Sequence, residues 1–219
     1  MGLRELKKTR TRQAVRHAAM SLFRAQGYET TTVEQIAARA EISTATFYRY
    51  YRDKEDVVIN DGEREDFVEE VLAGSPGCDP IFDTVRALYQ WTSTTLENDR
   101  VAVLARLRLV SENPALQARR WASRHALSEM LCGMLAPKVG TSADDHELRL
   151  VIAIALAAES ETLFHWARID GAESLVDLLD HALATLKPVL SGWPALAVSS
   201  AGPVAEAQSR LRAAPESRG

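Results

Sequence analysis

A short segment near the N-terminus concentrates side chains that are suited to nucleic acid. Arg49 carries a guanidinium that can donate hydrogen bonds to a guanine edge or to a phosphate. Thr44 and Thr46 offer methyl groups for thymine and hydroxyls for phosphate, and the phenolic hydroxyl of Tyr48 suits phosphate oxygens. Four such side chains within six residues predict contacts with double-stranded DNA.

Two short helices joined by a tight turn are predicted to position these side chains. Thr32 and Gln35 fit a capping box at the start of the first helix, and Ser43 is a good N-cap for the second. The first helix then carries an apolar stripe at positions i, i+3, i+4 and i+7, formed by Val33, Ile36, Ala37 and Ala40. In the second helix the residues predicted to face the core are Phe47, Tyr50 and Tyr51.

A preceding helix completes a three-helix unit. Its apolar stripe is Val15, Ala18, Ala19, Leu22 and Phe23. Gly27 suits the left-handed position that follows a helix end. A basic arm is predicted before this helix, comprising Arg4, Lys7, Lys8, Arg10 and Arg12. Three helices of this size bury a small shared core and present the third to the major groove.

The charge distribution agrees with DNA binding. Residues 1–54 hold 11 Lys+Arg against 5 Asp+Glu, a net charge of +6, whereas the whole chain carries −4 and the remainder therefore −10. A basic end on an acidic protein is what attraction to phosphates requires. The alternative is an ordinary helical hairpin with a solvated basic arm, which leaves the outward aromatic and basic side chains without an explanation.

The run LFRAQGYETTTVEQIAARAEISTATFYRYYRDKEDV resembles the DNA-binding domain of TetR-family repressors. The matched motifs are the Gly-aromatic pair (Gly27-Tyr28), the T-T-x-x-x-I-A pattern (Thr31, Thr32, Ile36 and Ala37), the recognition helix (Phe47 to Tyr51) and the Lys-Glu pair (Lys54-Glu55). Ala45 stands where glycine is common and Arg52-Asp53 where Pro-Ser is common, and neither departure affects the predicted fold.

The resemblance implies specific contacts and a specific assembly. The implied phosphate contacts are Thr32, Tyr48, Tyr50 and Lys54, and the implied base or mixed contacts are Thr44, Thr46 and Arg49; with the N-cap Ser43 they form the predicted DNA-binding set. A homodimer would read two half-sites of a palindromic operator, with its recognition helices about 34–36 Å apart. The family leans to repression, and an activator is the alternative.

The sequence predicts an all-α chain of about nine helices in two domains. We expect a helix-turn-helix domain at residues 1–53, a helical effector-binding and dimerisation domain at 54–191, and a flexible tail at 192–219. The expected effector helices are a linking helix from Lys54 to Leu72, then Pro80 to Leu96, Asn98 or Asp99 to Ser111, Pro114 to Met134, Asp144 to Ile169, and Ala172 to Leu190, with a loop from Pro137 to Ser142.

The last two helices predict a dimer interface. The run from Leu150 to Ala158 is apolar all the way round, so it has to be covered on every side. Two such helices from each of two chains would form a four-helix interface with two-fold symmetry. The predicted interface residues are Val151, Ile154, Ala155, Leu175, Leu179, Leu183 and Leu186. The alternative is a buried central helix in a monomer.

The helical half also predicts a ligand pocket, an apolar space with a few polar groups. The candidates are Trp91, Arg106, Trp121, His125, Glu159 and His165; the alternative is that they pack in the core or are solvated. The stretch ARLRLVSENPALQARR is similar to a TetR subgroup that binds acyl-CoA-like ligands and includes mycofactocin-type regulators. That similarity implies an acyl-CoA-like effector whose phosphates would meet Arg119 and Arg120 near the pocket mouth; the alternative is that these two arginines are solvated surface charges.

Other function classes find little support in the chain. The five histidines are scattered, no catalytic or dinucleotide-binding motif is present, and neither cysteine, Cys78 or Cys132, lies in a metal-ligand spacing. The longest apolar run has nine residues, against roughly 20 for a membrane helix. We therefore expect a cytoplasmic, non-enzymatic, ligand-responsive regulator without metal or cofactor; the alternative is a DNA-binding regulator without a small-molecule effector.

Overall fold

The computed structural model describes residues 3–59, 67–68 and 79–191, and this part of the chain is helical with no strand. Its helices are α1 (Leu3–Gln26), α2 (Val33–Arg39), α3 (Thr44–Tyr50), α4 (Lys54–Ile59), α5 (Pro80–Glu97), α6 (Arg100–Glu112), α7 (Pro114–Val139), α8 (His146–Arg168) and α9 (Leu175–Leu190). The all-α prediction is confirmed for these residues. The predicted tail at 192–219, and the predicted linking helix beyond Ile59 except residues 67–68, lie outside them.

The DNA-binding unit is α1 to α3, built around Val15, Ile36 and Phe47, each of which is fully buried. The predicted capping box is confirmed, because Thr32 Oγ1 accepts from Gln35 N and Gln35 Oε1 accepts from Thr32 N. Gly27 ends α1 with φ +91°, as predicted, and donates to Phe23 O at 3.0 Å.

The predicted basic arm is not a separate segment, because α1 already begins at Leu3. The arm residues Arg4 to Arg12 are therefore the first turns of this helix. The physical reason is local: Leu, Lys, Arg and Glu are good helix formers, and neither glycine nor proline occurs between Leu3 and Gln26. The expected basic end is present, but it is held as a helix.

The effector half is a bundle in which α8 packs against α7 and α9, and α9 also packs against α5. Tyr89 of α5 donates its hydroxyl to Ala155 O of α8 at 2.6 Å, and Trp166 is completely buried with its Nε1 donating to Glu173 O at 3.0 Å. This half is also contacted by Phe67 and Val68, which follow α4 in the chain. Val68 is buried in its core, and Phe67 stacks on Trp91 with ring centroids 5.2 Å apart.

Within the described residues, α8 is the one helix long and apolar enough to cross a membrane, judged by length and composition alone. The central helix of a soluble bundle passes the same test. Val151, Ile152, Ala155 and Leu156 of α8 are buried within the protein core.

Three helix ends differ from the prediction. The loop predicted at residues 137–142 begins three residues later, because α7 continues to Val139 and ends at Gly140, which has φ +74°. Pro137 lies in the last turn, so its missing N–H removes only one hydrogen bond. The N-cap of α8 is Asp145 rather than Asp144, since its carboxylate accepts from Leu148 N at 2.9 Å. Likewise α9 begins at Leu175, capped by Ser174, instead of at Ala172.

The core of the DNA-binding unit extends into the effector half. Val57 and Val58 of α4 are buried against the α1–α3 residues, and so are Val110 at the end of α6 and Leu116 in the first turns of α7. Asn113, between these two helices, donates to Glu29 Oε1 at 3.2 Å. A displacement of the α6–α7 corner therefore changes the packing of the helices that carry the DNA-binding side chains.

Candidate functional site

The recognition helix α3 is held from its inner side. Phe47 is fully buried and Tyr51 is 3% exposed, with their ring centroids 5.7 Å apart. Ser43 caps the helix by accepting from Thr46 N at 3.1 Å. With the inner face fixed and the first turn capped, the side chains on the opposite face have a defined direction, which is what base and phosphate contacts need.

The outer face of α3 carries most of the predicted DNA contacts. Thr44, Tyr48 and Arg49 are exposed, Tyr48 by 55%, as the spacing predicted. Thr46 and Tyr50 are half-buried: the Thr46 hydroxyl lies 3.0 Å from Ser43 Oγ, and the Arg49 guanidinium lies over the Tyr50 ring at 5.1 Å. Thr32, at the start of α2, is also exposed.

A left-handed residue shapes the turn between α2 and α3. Glu41 has φ +56°, and the next residue, Ile42, donates its N–H to Ala37 O at 3.0 Å. The sequence indicates a short break here but not this backbone conformation, because glycine or asparagine normally occupies it.

Lys54 has a different role from the predicted phosphate contact. Its Nζ donates to three backbone carbonyls, Tyr28 O at 2.8 Å, Thr31 O at 3.1 Å and Glu29 O at 3.3 Å, and lies 4.3 Å from the Tyr28 ring centroid. An ammonium has three N–H donors. All three are engaged inside the protein, so we remove Lys54 from the DNA contacts and assign it to holding α4 on the α1–α2 turn.

The same contact explains two of the motifs seen in the sequence. The hydroxyl of Tyr28 donates to Glu55 Oε1 at 2.5 Å, directly beside Lys54. The Gly-aromatic pair and the Lys-Glu pair are thus the two sides of one contact, although 26 residues separate them. Burial, followed by the hydrogen bond to Glu55, raises the pKa of Tyr28 well above its ordinary value.

A small cavity of about 60 Å³ lies between α4 and the effector helices. Val58 and Ile59 line it from α4, and Leu107 and Val110 line it from α6. Its polar lining consists of Thr92, Arg106, Arg120, Ser123 and Arg124. Among the lining residues that the structure describes, the charged ones are all arginines.

Three of the six predicted ligand residues lie at or beside this cavity. Trp91 and Arg106 line it, and Arg106 is only 9% exposed. Glu159 is completely buried one step further out, where it accepts from the lining residue Thr92 at 2.7 Å. The cavity residues Val58, Val110 and Ser123 could not be identified from the sequence. Small and aliphatic side chains carry no group that marks them as ligand contacts before the helices are assembled.

The other three predicted ligand residues lie elsewhere. Trp121 is 71% exposed and stacks on His125, with ring centroids 5.7 Å apart. His125 is exposed too and lies 3.8 Å from Glu129. Both belong to the outer face of α7, since Ser123, Arg124 and Leu127 occupy the inner one. His165 is half-buried and does not line the cavity.

The predicted dimer residues are largely the core of a single chain. Four of them are at most 3% exposed, namely Val151, Ala155, Leu175 and Leu179, and Leu183 is 8% exposed. Ile154 and Leu186 are half-buried. The leucine stripe of α9 packs in the core of its own bundle. The apolar periodicity therefore identified the side that faces the core. The outward side of α8 carries a different apolar stripe, Leu150, Ala153, Ile154 and Ala157, in which Leu150 is 49% exposed.

Comparison with known proteins places this architecture. The family model for bacterial regulatory proteins of the tetR family matches residues 15–60, and the model for the MftR C-terminal domain matches residues 79–191. The HTH-type transcriptional regulator TcmR of Streptomyces glaucescens is 30% identical over 199 residues, which cover 86% of this chain and 88% of that protein.

Solved structures show the same fold. The regulator FadR from Bacillus subtilis in complex with stearoyl-CoA has a TM-score of 0.56 at 20% identity, over 82% of this chain and 98% of that one. The repressor FadR from Thermus thermophilus in complex with lauroyl-CoA has a TM-score of 0.53 at 24% identity, over 82% and 94%. Given both matching family models and the relative that spans most of the chain, this protein belongs to the TetR family of transcriptional regulators, with an effector half of the MftR type.

Proposed function

We propose that the protein is a homodimeric, cytoplasmic repressor that binds a palindromic operator and releases it when an acyl-type ligand with an anionic head enters the cavity. The DNA contacts would be Arg49, Tyr48 and Thr44, supported by Thr32, Ser43, Thr46 and Tyr50. This reading rests on the family, on the exposed polar face of α3, and on the way the cavity and the DNA-binding core share residues.

The observation that carries the proposal is the double position of Val58 and Val110. Each lines the cavity, and each is also buried in the core of the DNA-binding unit, with 2% and 1% exposure. A ligand that displaces either side chain therefore changes the packing behind α1 to α3 without any intermediate element. Tightly packed interiors transmit such displacements, because they have no free volume to absorb them.

The size of the cavity makes such a displacement necessary. Sites for small molecules commonly measure about 300–1,000 Å³, whereas this cavity holds about 60 Å³. An acyl chain can enter only if α4 moves away from α6 and α7. The ligand then binds the moved conformation better than the original one, which is the condition for shifting the equilibrium.

The chemistry of the lining supports one ligand class. Leucines and valines suit a hydrocarbon chain, and Arg106, Arg120 and Arg124 suit a carboxylate or a phosphate-bearing head. Acyl-CoA is the ligand in the two FadR complexes of similar fold. We infer the same ligand class for this chain.

The dimer would form through the outward stripe of α8. Leu150, Ala153, Ile154 and Ala157 recur at i, i+3, i+4 and i+7, so they form one apolar face of that helix. Small residues at Ala153 and Ala157 allow a partner helix to approach closely. A two-fold copy of this face supplies the covering that the sequence requires for α8.

The test is operator binding by fluorescence anisotropy on the DNA upstream of the protein's own gene, at a fixed salt concentration. Lauroyl-CoA should raise the operator Kd at least tenfold, while free CoA without the acyl chain should have a much smaller effect. Ser123→Val occupies part of the small cavity without displacing α4, so it should leave operator binding intact and reduce the acyl-CoA response severalfold. Ala122→Val, at an exposed position of the same helix, is the matched control.

Each other outcome has a distinct meaning. Specific operator binding that no acyl-CoA relieves would favour a regulator without a small-molecule effector. Operator binding strengthened by the ligand would favour an activator or a co-repressed system. Absence of sequence-specific binding at low salt would contradict the proposal at its base.

A further inference from the structure

A second concave region lies beside the cavity, between the DNA-binding unit and the effector half, and Leu96 and Arg106 line both. It is an open cleft of about 720 Å³, with α1 as one wall and the end of α5 and the first turns of α6 as the other. This volume falls within the range of about 300–1,000 Å³ that small-molecule sites occupy. It is about twelve times that of the cavity, so a ligand can be accommodated without any displacement of the walls.

The walls of this cleft are strongly basic. Arg12, Arg16 and Arg24 project from α1, and Arg106 projects from α6 on the opposite side. Their spacing in multiples of four places the three α1 arginines on one face of the helix. Asp99 is the single carboxylate among the described lining residues, so the side chains give a net charge of +3 even with His17 neutral. Arginines bind phosphates through paired hydrogen bonds, and arginines on two walls can hold one anion between them.

The rest of the lining is apolar. Met20 and Leu96 form the floor between the two walls, and Val101 and Ala102 extend along α6. Val101 is 77% exposed, although it is a valine, so it offers an apolar contact surface at the rim. A bare inorganic ion would use the arginines alone and leave this apolar lining uncontacted. It suits a phosphate group that is attached to a ring or another apolar body.

We propose that this cleft binds a phosphorylated small molecule of the nucleotide class. The bound molecule would contact α1 of the DNA-binding unit and α6 of the effector half together, so it would favour the orientation in which the two walls face each other. Arg106 lines both the cleft and the cavity, which connects this site to the effector cavity. Coupling between two binding sites is reciprocal. The nucleotide and the operator therefore change each other's affinity by the same factor.

The ligand chemistry has two sources, a free nucleotide and the phosphoadenosine head of a CoA compound. Isothermal titration calorimetry of the full-length protein with ADP, with CoA and with inorganic phosphate separates them. We expect saturable binding of one molecule per chain. Comparable affinities for ADP and CoA indicate that the shared adenine and phosphate groups are recognised, and binding of only one of the two identifies the source.

Two variants test the location. Val101→Glu places a carboxylate at the rim, at a position exposed enough to accept it without unfolding, and should weaken binding of the probe at least tenfold. Arg24→Gln removes one exposed cation and should weaken it about threefold, in line with the modest strength of exposed charge pairs. The matched controls are Val176→Glu and Arg168→Gln, which make the same changes on exposed surfaces of α9 and α8 and should leave the affinity unchanged.

Four results would overturn the proposal. They are no saturable binding of ADP or CoA, equal affinity in the rim variants and their controls, inorganic phosphate binding as tightly as ADP, and loss of operator binding in the rim variants with probe binding unchanged. The cavity variant Ser123→Val keeps this test separate from the proposed function. Loss of the acyl response with retained ADP binding concerns the cavity, and the reverse pattern concerns the cleft.

Discussion

Arg119 of α7 reaches across to α4 and places its Nη2 3.3 Å from Asp56 Oδ1 and 3.5 Å from Asp53 Oδ2. Asp56 is at the same time part of the α4 start, because it accepts from Arg52 N at 3.1 Å. The neighbouring Arg120 turns the other way, into the effector half, where it donates to Ser160 Oγ at 3.3 Å and lies over the Phe164 ring at 4.9 Å. Two consecutive arginines of α7 thus contact α4 on one side and the effector helix α8 on the other.

This arrangement predicts that Arg119→Gln uncouples ligand binding from operator release. The pair is partly exposed, at 29% and 16% of the two side chains, so its loss should cost less than about 1 kcal/mol of stability. The operator Kd without ligand should change less than threefold, whereas the acyl-CoA response should shrink severalfold. Anisotropy titrations with and without lauroyl-CoA measure both. An unchanged response would show that coupling runs through Val58 and Val110 alone.

The outward face of α3 predicts a clean separation of DNA binding from folding. Arg49→Ala should weaken operator binding by ten- to a hundredfold, since a good base contact contributes about 1–3 kcal/mol. Tyr48→Phe removes one phosphate hydrogen bond and should weaken all sequences alike. Both side chains are exposed, so the melting temperature and the mass in solution should not change. Arg168→Gln serves as the control for loss of a surface charge. Operator affinities equal to that of the unmodified protein would contradict the assignment of α3.

Substitution of Lys54 should have the opposite effect, because this residue stabilises the fold by holding α4 on the α1–α2 turn. Lys54→Met keeps the length of the side chain but removes three hydrogen bonds to carbonyls, and hydrogen bonds to charged groups contribute about 1.5–3 kcal/mol each at most. We expect a net loss of roughly 2 kcal/mol, seen as a lower midpoint in urea. If Lys54 instead contacted phosphate, operator affinity would fall and the unfolding midpoint would stay the same.

The thiol of Cys132 should be protected in the folded protein. Its side chain is 1% exposed, and burial raises its pKa above the ordinary value for cysteine. Because the folded pKa lies above the unfolded one, the associated stability is complete below the ordinary cysteine pKa and declines as the pH rises through it. In a Cys78→Ser protein, a thiol reagent such as DTNB at pH 8 should react slowly without denaturant and rapidly in urea. Fast labelling of the native protein would contradict the burial of Cys132 in the bundle.

The chemistry of the DNA-binding unit could be predicted from the sequence because its determinants are local. The capping box of α2, the N-cap of α3 and the burial of Phe47 all depend on residues within one or two helical turns. Lys54 shows the limit of such reasoning. Its partners are carbonyls of residues 28–31, and a backbone acceptor leaves no trace in the sequence. A lysine beside a recognition helix therefore looks like a phosphate contact until the turn that it clamps is seen.

The effector half was harder to interpret because helical periodicity does not say which neighbour a stripe faces. Leu175, Leu179 and Leu183 form a regular stripe on α9, and the structure buries it in the protein's own core. The same ambiguity applies to Trp121 and His125 of α7. Trp121 lies three residues before the inward-facing Arg124, and His125 lies one residue after it. A rotation of about 100° per residue decides between cavity and solvent. Assembly of the bundle, rather than composition, fixes that rotation.

The outward stripe of α8 predicts how the dimer can be broken without unfolding the chain. Leu150 is 49% exposed in the single chain, so Leu150→Glu should be tolerated by the fold and should place a charge in the proposed two-fold interface. We expect sedimentation equilibrium to give the mass of one chain in place of two. Operator binding should weaken strongly, because each chain then reads a single half-site.

Two comparisons make the Leu150 experiment decisive. Val101→Glu puts the same charge on a still more exposed valine of α6, outside the stripe, and should leave the dimer mass unchanged. Leu179→Glu alters a residue of the interface predicted from sequence, but Leu179 is 1% exposed, so this variant should fail to fold rather than form a stable monomer. A folded monomer from Leu179→Glu, together with an intact dimer from Leu150→Glu, would reinstate the leucine stripe of α9 as the interface.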